Sequence, residues 1–419
     1  MKKFLSLIII SVLIASIWGC QNPLTSPVQI KNDLSSPEKI LINSSKLFGL
    51  KLFKTINASA GDSNIFISPL SVSAALGMVL NGANGKTYDE IKSTLELVGN
   101  NQDEVNKAYQ SLNELLTQID PKSNLPAGMQ VFESANSIWY RQGFTFEQSF
   151  LDVNKNYFDA SVQRLDFTNP ASVDIINNWV KEKTKEKITS IIKQIPKEAI
   201  MYLINAIYFK GMWKYQFDTS ATKQDDFYVA QNDEIKCMMM SQKDTLNYYN
   251  TNNYQAVELP YGNGDFSMVI ILPSTGEDIN SLISQIDGNF WNSLLNSMTK
   301  QEVNLWLPKF KIEYFINLNN ALKSLGMPTA FDPYNADFSK MRPEKDVYIS
   351  NVLHKTYVNV DEEGTEAAAA TAVEISYTAV FGPQNINMKV NHPFIFAIRE
   401  KNSGAILFIG KVVNPTNNN

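Results

Sequence analysis

EEGTEAAAATAVEISYT, residues 362–378, is the stretch of this chain that decides its fold. Four consecutive alanines after Thr365 favour a surface helix with a threonine cap. An extended strand accounts for the same residues, because alternate positions from Thr365 to Tyr377 are small or apolar, whereas Glu366 and Glu374 lie between them. One segment therefore fits two secondary structures, and this conflict predicts a segment with two states.

The composition of the whole chain is that of a folded protein. Of 419 residues, 44% are hydrophobic and 19% are charged, and the formal net charge is -5. Two cysteines are too few for a disulfide framework, and two histidines leave little room for a histidine-rich metal site. The chain is acidic and has no basic cluster, so nucleic acid is not an expected partner. We expect neither a metal nor a cofactor.

The first residues predict export and lipid attachment. Two lysines follow Met1, and residues 4–18 are uncharged but shorter than the roughly 20 residues that a membrane-spanning helix needs. Gly19-Cys20 resembles the end of a bacterial lipobox, in which the cysteine becomes the lipidated first residue. We therefore predict a signal peptide at 1–19 and a lipid anchor on Cys20 at the outer membrane or cell surface, with plain secretion as the alternative.

A tether and one large domain follow the anchor. Residues 20–37 contain three prolines and several small polar residues, which is the composition of an extended linker. Residues 38–419 contain no second linker and no obvious repeat. We therefore predict a single domain over that range.

The pattern of this domain is mixed, with helical signals clustered in its first half. Ser68 and the proline after it predict the start of a helix, Thr87 and Glu90 have capping-box spacing, and residues 170–188 predict a further helix. Residues 200–209 are almost continuously apolar, which predicts a strand covered on both faces. Strands are expected at 129–140, 199–209, 255–260, 266–272, 303–312, 347–360, 394–399 and 405–413. The predicted class is α+β with large sheets.

Catalytic motifs are absent or at chance level. An enzyme would use His354 or His392 as a general base, but no G-x-S-x-G elbow occurs, and the S-x-x-K tetrapeptides at Ser36 and Ser190 lack their companion motifs. Cys237 lies beside three methionines in an expected strand, which favours a buried structural thiol. We predict that the protein is not an enzyme.

Several motifs stand in the order found in one protein family. They are the hinge at 362–371, NIFISPLS at 64–71, NAIYFKG at 205–211 with Trp213, HPF at 392–394 and GKVVNP at 410–415. The chain resembles the serpins over residues 38–415. This resemblance implies three sheets, about nine helices and an exposed reactive loop at about 362–385.

The resemblance also implies a mechanism. A target protease forms an acyl-enzyme with the loop, and the cut segment then inserts as an extra strand of the main sheet. Insertion adds on the order of a dozen ladder hydrogen bonds at ~1 kcal/mol net each, so the uncut state is expected to be a kinetic trap. Small hinge residues favour insertion and hence an inhibitor over a non-inhibitory carrier. The hinge comprises Glu362, Glu363, Gly364, Thr365, Glu366, Ala367, Ala368, Ala369, Ala370 and Thr371.

Alignment on Gly364 implies that the scissile bond joins Thr378 to Ala379. A small residue before the cut suggests an elastase-like or subtilisin-like serine endopeptidase. If the register differs by one residue, Tyr377 favours a chymotrypsin-like enzyme, and the same tyrosine suits a papain-like cysteine protease. The inhibitor itself is expected to be a monomer.

Two further groups of residues carry roles by resemblance. A shutter beneath the opening of the sheet would consist of Ser68, Ser71, Asn205 and His354, with a hydrogen bond between the last two. A breach where insertion begins would contain Trp213 and an ion pair between Lys309 and Glu362. Their plain alternatives are ordinary core packing and a surface ion pair worth ~0–1 kcal/mol. For His392 a structural role is expected.

Overall fold

The computed structural model describes residues 34–97, 99, 101–117, 130–365 and 386–417, which form nine α-helices. They are α1 (Ser36–Ala60), α2 (Pro69–Leu80), α3 (Gly85–Thr94), α4 (Gln102–Thr117), α5 (Gln148–Phe158), α6 (Ala171–Lys183), α7 (Ile279–Gln285), α8 (Gly288–Ser297) and α9 (Asn319–Ser324). The helix predicted after Ser68 and the one predicted within 170–188 are both present. None of the helices in these ranges is long and apolar enough to cross a membrane.

Fifteen strands are also present in the described ranges. They are β1 (Ile65–Ile67), β2 (Gln130–Arg141), β3 (Ser161–Leu165), β4 (Met201–Met212), β5 (Lys223–Ala230), β6 (Asp233–Asn250), β7 (Tyr254–Tyr261), β8 (Phe266–Pro273), β9 (Thr299–Pro308), β10 (Phe310–Asn317), β11 (Asn351–Val360), β12 (Gly364–Thr365), β13 (Ile386–Lys389), β14 (Phe394–Glu400) and β15 (Ile406–Val412).

The strands are hydrogen-bonded in two sheets, whereas three were expected. The first has nine strands, ordered β1-β15-β14-β8-β7-β6-β9-β13 with β5 beside β6, and the second has the order β10-β11-β12-β4-β2-β3. Strand β6 explains the difference, because its 18 residues bond β5 first, then β9, and finally β7. One long strand thus joins β5, β9 and β7 in a single sheet.

The main core fills the space between the two sheets. Aromatic pairs such as Phe209 with Phe266 and Phe310 with Phe396 connect one sheet to the other, with ring centroids 5.8 and 5.1 Å apart. A smaller core lies on the other face of the six-stranded sheet, where Ile176 of α6 is packed in one cluster with Ile204 of β4. Because β4 is buried over nearly its whole length, the prediction of a strand covered on both faces is confirmed.

Three local predictions were wrong in detail. Residues 303–312 form two strands in different sheets, since the chain changes sheet at Lys309, whose backbone N–H donates to Met238. Helix α3 begins at Gly85, so Thr87 and Glu90 do not cap it. Their side chains instead accept hydrogen bonds from the segment 329–337. Helix α1 begins at Ser36, two residues inside the predicted tether.

Candidate functional site

The six-stranded sheet is forked. Strands β4 and β11 are paired directly and in parallel from Tyr202 opposite Asn351 to Tyr208 opposite Tyr357. Beyond that point β12 lies between them, with Thr365 opposite Val360 of β11 on one side and β4 on the other. Gly364 and Thr365 of the hinge are thus already strand residues within the opening of the sheet.

Gly364 occupies a place that admits no side chain. A Cβ atom at this position would lie 2.1 Å from the carbonyl oxygen of Gly211 and 2.7 Å from the Cα of Met212. Such distances are far below van der Waals contact. Glycine is therefore required here by the close approach of β12 to the backbone of β4.

Thr365 is the first residue of the alternating face that the sequence predicted to be buried. It is 0% exposed, and its hydroxyl lies 2.7 Å from the hydroxyl of Tyr261 on β7. Burial raises the pKa of Tyr261 above its ordinary value, so the phenol is neutral. The remaining hinge residues, Glu366, Ala367, Ala368, Ala369, Ala370 and Thr371, lie outside the described residues.

Trp213 connects the opening of the sheet to the hinge. Its ring is stacked on that of Tyr261, with centroids 4.4 Å apart and an interplanar angle of 12°. The indole N–H donates to the carbonyl of Asp361 at 2.9 Å, and the backbone N–H donates to the carbonyl of Glu363 at 2.9 Å. These bonds go beyond core packing, since they fix the two residues on either side of Glu362.

The predicted ion pair between Glu362 and Lys309 is present. The Oε2 of Glu362 lies 2.6 Å from the Nζ of Lys309, and the two side chains are 10% and 38% exposed. Burial alone would raise the pKa of Glu362, but hydrogen bonds, first that from Lys309, outweigh burial and hold the pKa below its usual value. The carboxylate is therefore charged and ties the base of the hinge to the turn between β9 and β10.

The predicted shutter residues are also in contact. His354 on β11 is fully buried, its Nδ1 lies 2.7 Å from Asn205 Oδ1, and its Nε2 accepts the backbone N–H of Ser68 at 3.0 Å. Since Nε2 accepts, the proton is on Nδ1 and is donated to Asn205. The amide of Asn205 in turn donates to Ser71. Burial lowers the pKa of His354 to about 3, so the imidazole is neutral.

This geometry does not support a catalytic histidine. The hydroxyl of Ser68 donates to the carbonyl of Leu407 at 2.6 Å, so only the backbone N–H of this serine, and not its hydroxyl, is bonded to the imidazole of His354. His392 is partly buried, and its Nε2 donates to the carbonyl of Pro273 at 2.8 Å, which is a structural contact. Cys237 is buried, and its burial is the main reason that the pKa of its thiol is raised to about 11. The thiol is therefore protonated and unreactive.

Two residues of the site were missed by the sequence analysis. Asn136 on β2 lies opposite Asn205 and accepts a hydrogen bond from its amide at 2.7 Å. Asn136, Asn205 and His354 thus form one polar row across three neighbouring strands. Strand β2 contains several other polar residues, including Ser137 beside Asn136, so its sequence does not single out this asparagine. Nothing in the sequence marked Tyr261, because its partner Thr365 is about a hundred residues away.

The remaining predicted positions cannot be placed. Tyr377, Thr378, Ala379 and Cys20 lie outside the described residues. Within the ranges that the structure covers, no group of three or more histidine, cysteine, aspartate or glutamate side chains is arranged to hold a metal ion.

Comparison with known proteins identifies the family of this chain. A family model described as "Serpin (serine protease inhibitor)" matches residues 43–415. The chain belongs to the serpin family. Leukocyte elastase inhibitor A of Mus musculus is 34% identical over 388 residues, which cover 90% of this chain and 99% of that serpin.

Two solved structures extend the comparison to the fold. The thermophilic serpin tengpin in its native state has a TM-score of 0.82 and 33% identity, covering 91% of this chain and 95% of tengpin. Human thyroxine-binding globulin also has a TM-score of 0.82, with 28% identity over 91% of this chain and 100% of that globulin. The serpin fold is therefore confirmed. Since both inhibitors and a hormone-binding protein are among the similar serpins, membership alone leaves the activity open.

Proposed function

We propose that this serpin is a suicide-substrate inhibitor of serine endopeptidases, which traps the acyl-enzyme by inserting its cleaved loop into the six-stranded sheet. The observation that carries the proposal is the position of β12 between β11 and β4. Gly364 and Thr365 are already bonded to β11 and β4, so a cut loop has only to extend a strand that has been started.

The ladder that insertion must open is short. Seven residue pairs join β4 to β11, and a strand entering between them replaces this one ladder with two. At ~1 kcal/mol net for each hydrogen bond, the gain in bonds favours the inserted form before any burial of side chains. The uncut loop is attached at both ends and cannot complete this exchange. The active protein is therefore held in its native state by a kinetic barrier.

The alternating face supports the proposal beyond the described residues. Thr365 is buried, and Ala367, Ala369 and Thr371 continue the same face along the sequence. Side chains of this size pass between β4 and β11 without burying a charge. An arginine or a proline at one of these positions would oppose insertion, and neither occurs in 364–378.

The target class follows from the residues around the expected scissile bond. Cleavage between Thr378 and Ala379 suits elastase-like or subtilisin-like enzymes, and cleavage one residue earlier, after Tyr377, suits chymotrypsin-like ones. A papain-like cysteine protease is also a candidate target. The relative named leukocyte elastase inhibitor A supports the elastase-like choice.

We further propose that the inhibitor acts as a monomer on the bacterial envelope. Its signal-like residues 1–19, Cys20 and the proline-containing segment that follows support lipid attachment and an extended tether. The alternative is secretion without an anchor. Labelling of cells with a radioactive fatty acid, with Cys20→Ala as the unlabelled control, separates the two.

A second candidate function is that of a non-inhibitory carrier. The similarity to thyroxine-binding globulin, equal in TM-score to that of tengpin, favours this candidate. The small hinge residues, and the pairing of β12 with both β11 and β4, favour the inhibitor. A carrier does not need a sheet that accepts a long strand.

The test is incubation of the purified protein with elastase-, subtilisin-, chymotrypsin- and papain-like proteases. We expect a band on a denaturing gel with the mass of protease and serpin together, less the fragment that the cut releases. Mass spectrometry of that fragment fixes the cut bond. The cut protein should also melt at a higher temperature than the intact one. Cleavage by every protease without a heavy band, and with an unchanged melting temperature, would point to the carrier.

A further inference from the structure

The buried contact between Tyr261 and Thr365 has no part in the family motifs that led to the proposed function. Tyr261 belongs to the nine-stranded sheet, and Thr365 belongs to β12 in the six-stranded sheet. Their hydroxyls are 2.7 Å apart, and both residues are 0% exposed. This hydrogen bond therefore links the hinge to the opposite sheet across the core.

The position of the Tyr261 ring is fixed from three sides. Trp213 is stacked on it, and the backbones of Trp213 and Tyr261 form an isolated β-bridge. Phe209 packs edge-on at 5.2 Å. A Cβ on Gly211 would lie 3.0 Å from the ring, so this glycine leaves the space that the ring fills. The hydroxyl is thus held at one point and cannot follow a hinge that moves away.

Water is excluded from this contact, which makes it selective for a hydroxyl group. A buried hydroxyl that loses its partner keeps the full penalty of desolvation, whereas a matched pair of apolar groups avoids it. The bond forms only when β12 occupies the sheet at this register. A hinge that withdraws by one residue would bring Gly364 or Glu366 to the tyrosine, and neither offers a hydroxyl.

We propose that Tyr261 is a positioning residue that holds the uncut hinge in the sheet through the hydroxyl of Thr365. It thereby sets the fraction of cleaved inhibitor molecules in which the loop inserts before the acyl-enzyme is hydrolysed. The inference rests on the proposed inhibitory function for its effect on proteases, but its effect on the hinge does not depend on that function. Because Thr365 is already paired on both sides, the bond is kept when insertion proceeds. It therefore favours the start of insertion without opposing its completion.

The experiment compares the intact full-length protein with the variants Tyr261→Phe, Thr365→Val, the double variant and Thr365→Ser. Hydrogen–deuterium exchange of the peptide that contains residues 362–365 reports the position of the hinge without any protease. We expect about fivefold to tenfold faster exchange in both single variants, which is the size of effect of one lost hydrogen bond. The double variant should be no faster than either single variant, and Thr365→Ser should remain close to the wild type.

The second readout is the number of inhibitor molecules consumed for each protease molecule trapped. It should rise in Tyr261→Phe and Thr365→Val, with more cleaved product and less heavy complex, and it should not rise further in the double variant. Tyr109→Phe is the matched control, because Tyr109 is a buried phenol whose hydroxyl is bonded to Ser73 of α2 and not to a hinge residue. A structural role alone would lower the melting temperature of both tyrosine variants alike and leave exchange at the hinge unchanged.

The outcomes separate the two proposals. If the wild type traps no protease but exchange at the hinge rises as expected, the inhibitory function fails and the positioning role stands. If exchange is unchanged in Tyr261→Phe, or if the two single effects add in the double variant, the positioning role is wrong whatever the protease assays show.

Discussion

Glu362 and Lys309 join the base of the hinge to the turn where the chain passes from β9 to β10, with 2.6 Å between Oε2 and Nζ. Glu362 lies between β11 and β12 of the six-stranded sheet. The backbone N–H of Lys309 is bonded to Met238 of the nine-stranded sheet. This pair therefore restrains the point at which a new strand enters.

The first prediction concerns this ion pair. Glu362→Lys should lower the midpoint of urea unfolding by more than Glu362→Gln does, because it places two cations in a site that is only 10% exposed at position 362. We expect Glu362→Gln to cost roughly 1–2 kcal/mol, between the values for exposed and buried pairs. Part of the loss should return in the charge-swapped protein with Glu362→Lys and Lys309→Glu.

The pair between Lys243 and Glu302 provides the control. Its N–O distance is also 2.6 Å, but its side chains are 46% and 44% exposed. Removal of this pair should change the midpoint by less than about 0.5 kcal/mol. Equal losses at the two sites would mean that the base of the hinge has no special restraint.

The second prediction concerns Gly364. Gly364→Ala should expel β12 from the sheet, since its Cβ would overlap the carbonyl oxygen of Gly211. The expected result is faster hydrogen exchange at 362–365 and a lower yield of heavy complex. Gly85→Ala is the control for backbone strain, because Gly85 also has a positive φ, of 49°, but no atom lies within 4 Å of the Cβ added there. A normal yield of heavy complex in Gly364→Ala would mean that the backbone of β4 moves to make room for the added side chain.

Comparison of sequence and structure shows which parts of this site were predictable. The contacts of His354 with Asn205 and of Glu362 with Lys309 were expected from the resemblance and are present. The change of sheet at Lys309 was not, because strand propensity continues through 303–312 and only long-range pairing with β6 and β11 divides it. Local periodicity carries no information about pairing partners.

The failed capping box has a similar cause. Thr87 and Glu90 have the correct spacing, yet both are used by the distant segment 329–337. A helix N-cap contributes only about 1 kcal/mol to stability. A hydrogen bond from a distant segment to the same side-chain oxygen can therefore replace the capping bond with little loss of stability. The role of Asn136 was hidden for the same reason, since the row it completes exists only once three strands are aligned.

The third prediction concerns Thr365. Thr365→Arg should convert the inhibitor into a substrate, because the arginine would enter a position that is 0% exposed and would there be an unpaired buried charge. Cleavage at the reactive bond should continue at a similar rate while the heavy band disappears. Glu366→Arg is the control on the face that the sequence alternation assigns to solvent, and it should keep the heavy band. Undiminished complex formation in Thr365→Arg would contradict the insertion mechanism.

The fourth prediction concerns pH and follows from the buried imidazole of His354. Its pKa is about 3 in the folded protein and about 6.5 when exposed, so the unfolded chain binds more protons between these values. Its contribution to stability is complete above pH 6.5 and is lost as the pH falls below that value, by about 1.4 kcal/mol for each pH unit. The midpoint of urea unfolding should therefore decrease from pH 7.5 to pH 5.5.

His354→Gln should be less stable than the wild type at pH 7.5, because Ser68 and Asn205 lose their common partner. The decrease between pH 7.5 and pH 5.5 should nevertheless become smaller in this variant, since the titrating group is gone. Burial also lowers the pKa of His392, so His392→Gln removes a further part of the same slope. The chain has only these two histidines, and an unchanged slope after both substitutions would show that His354 is not held neutral in the folded protein.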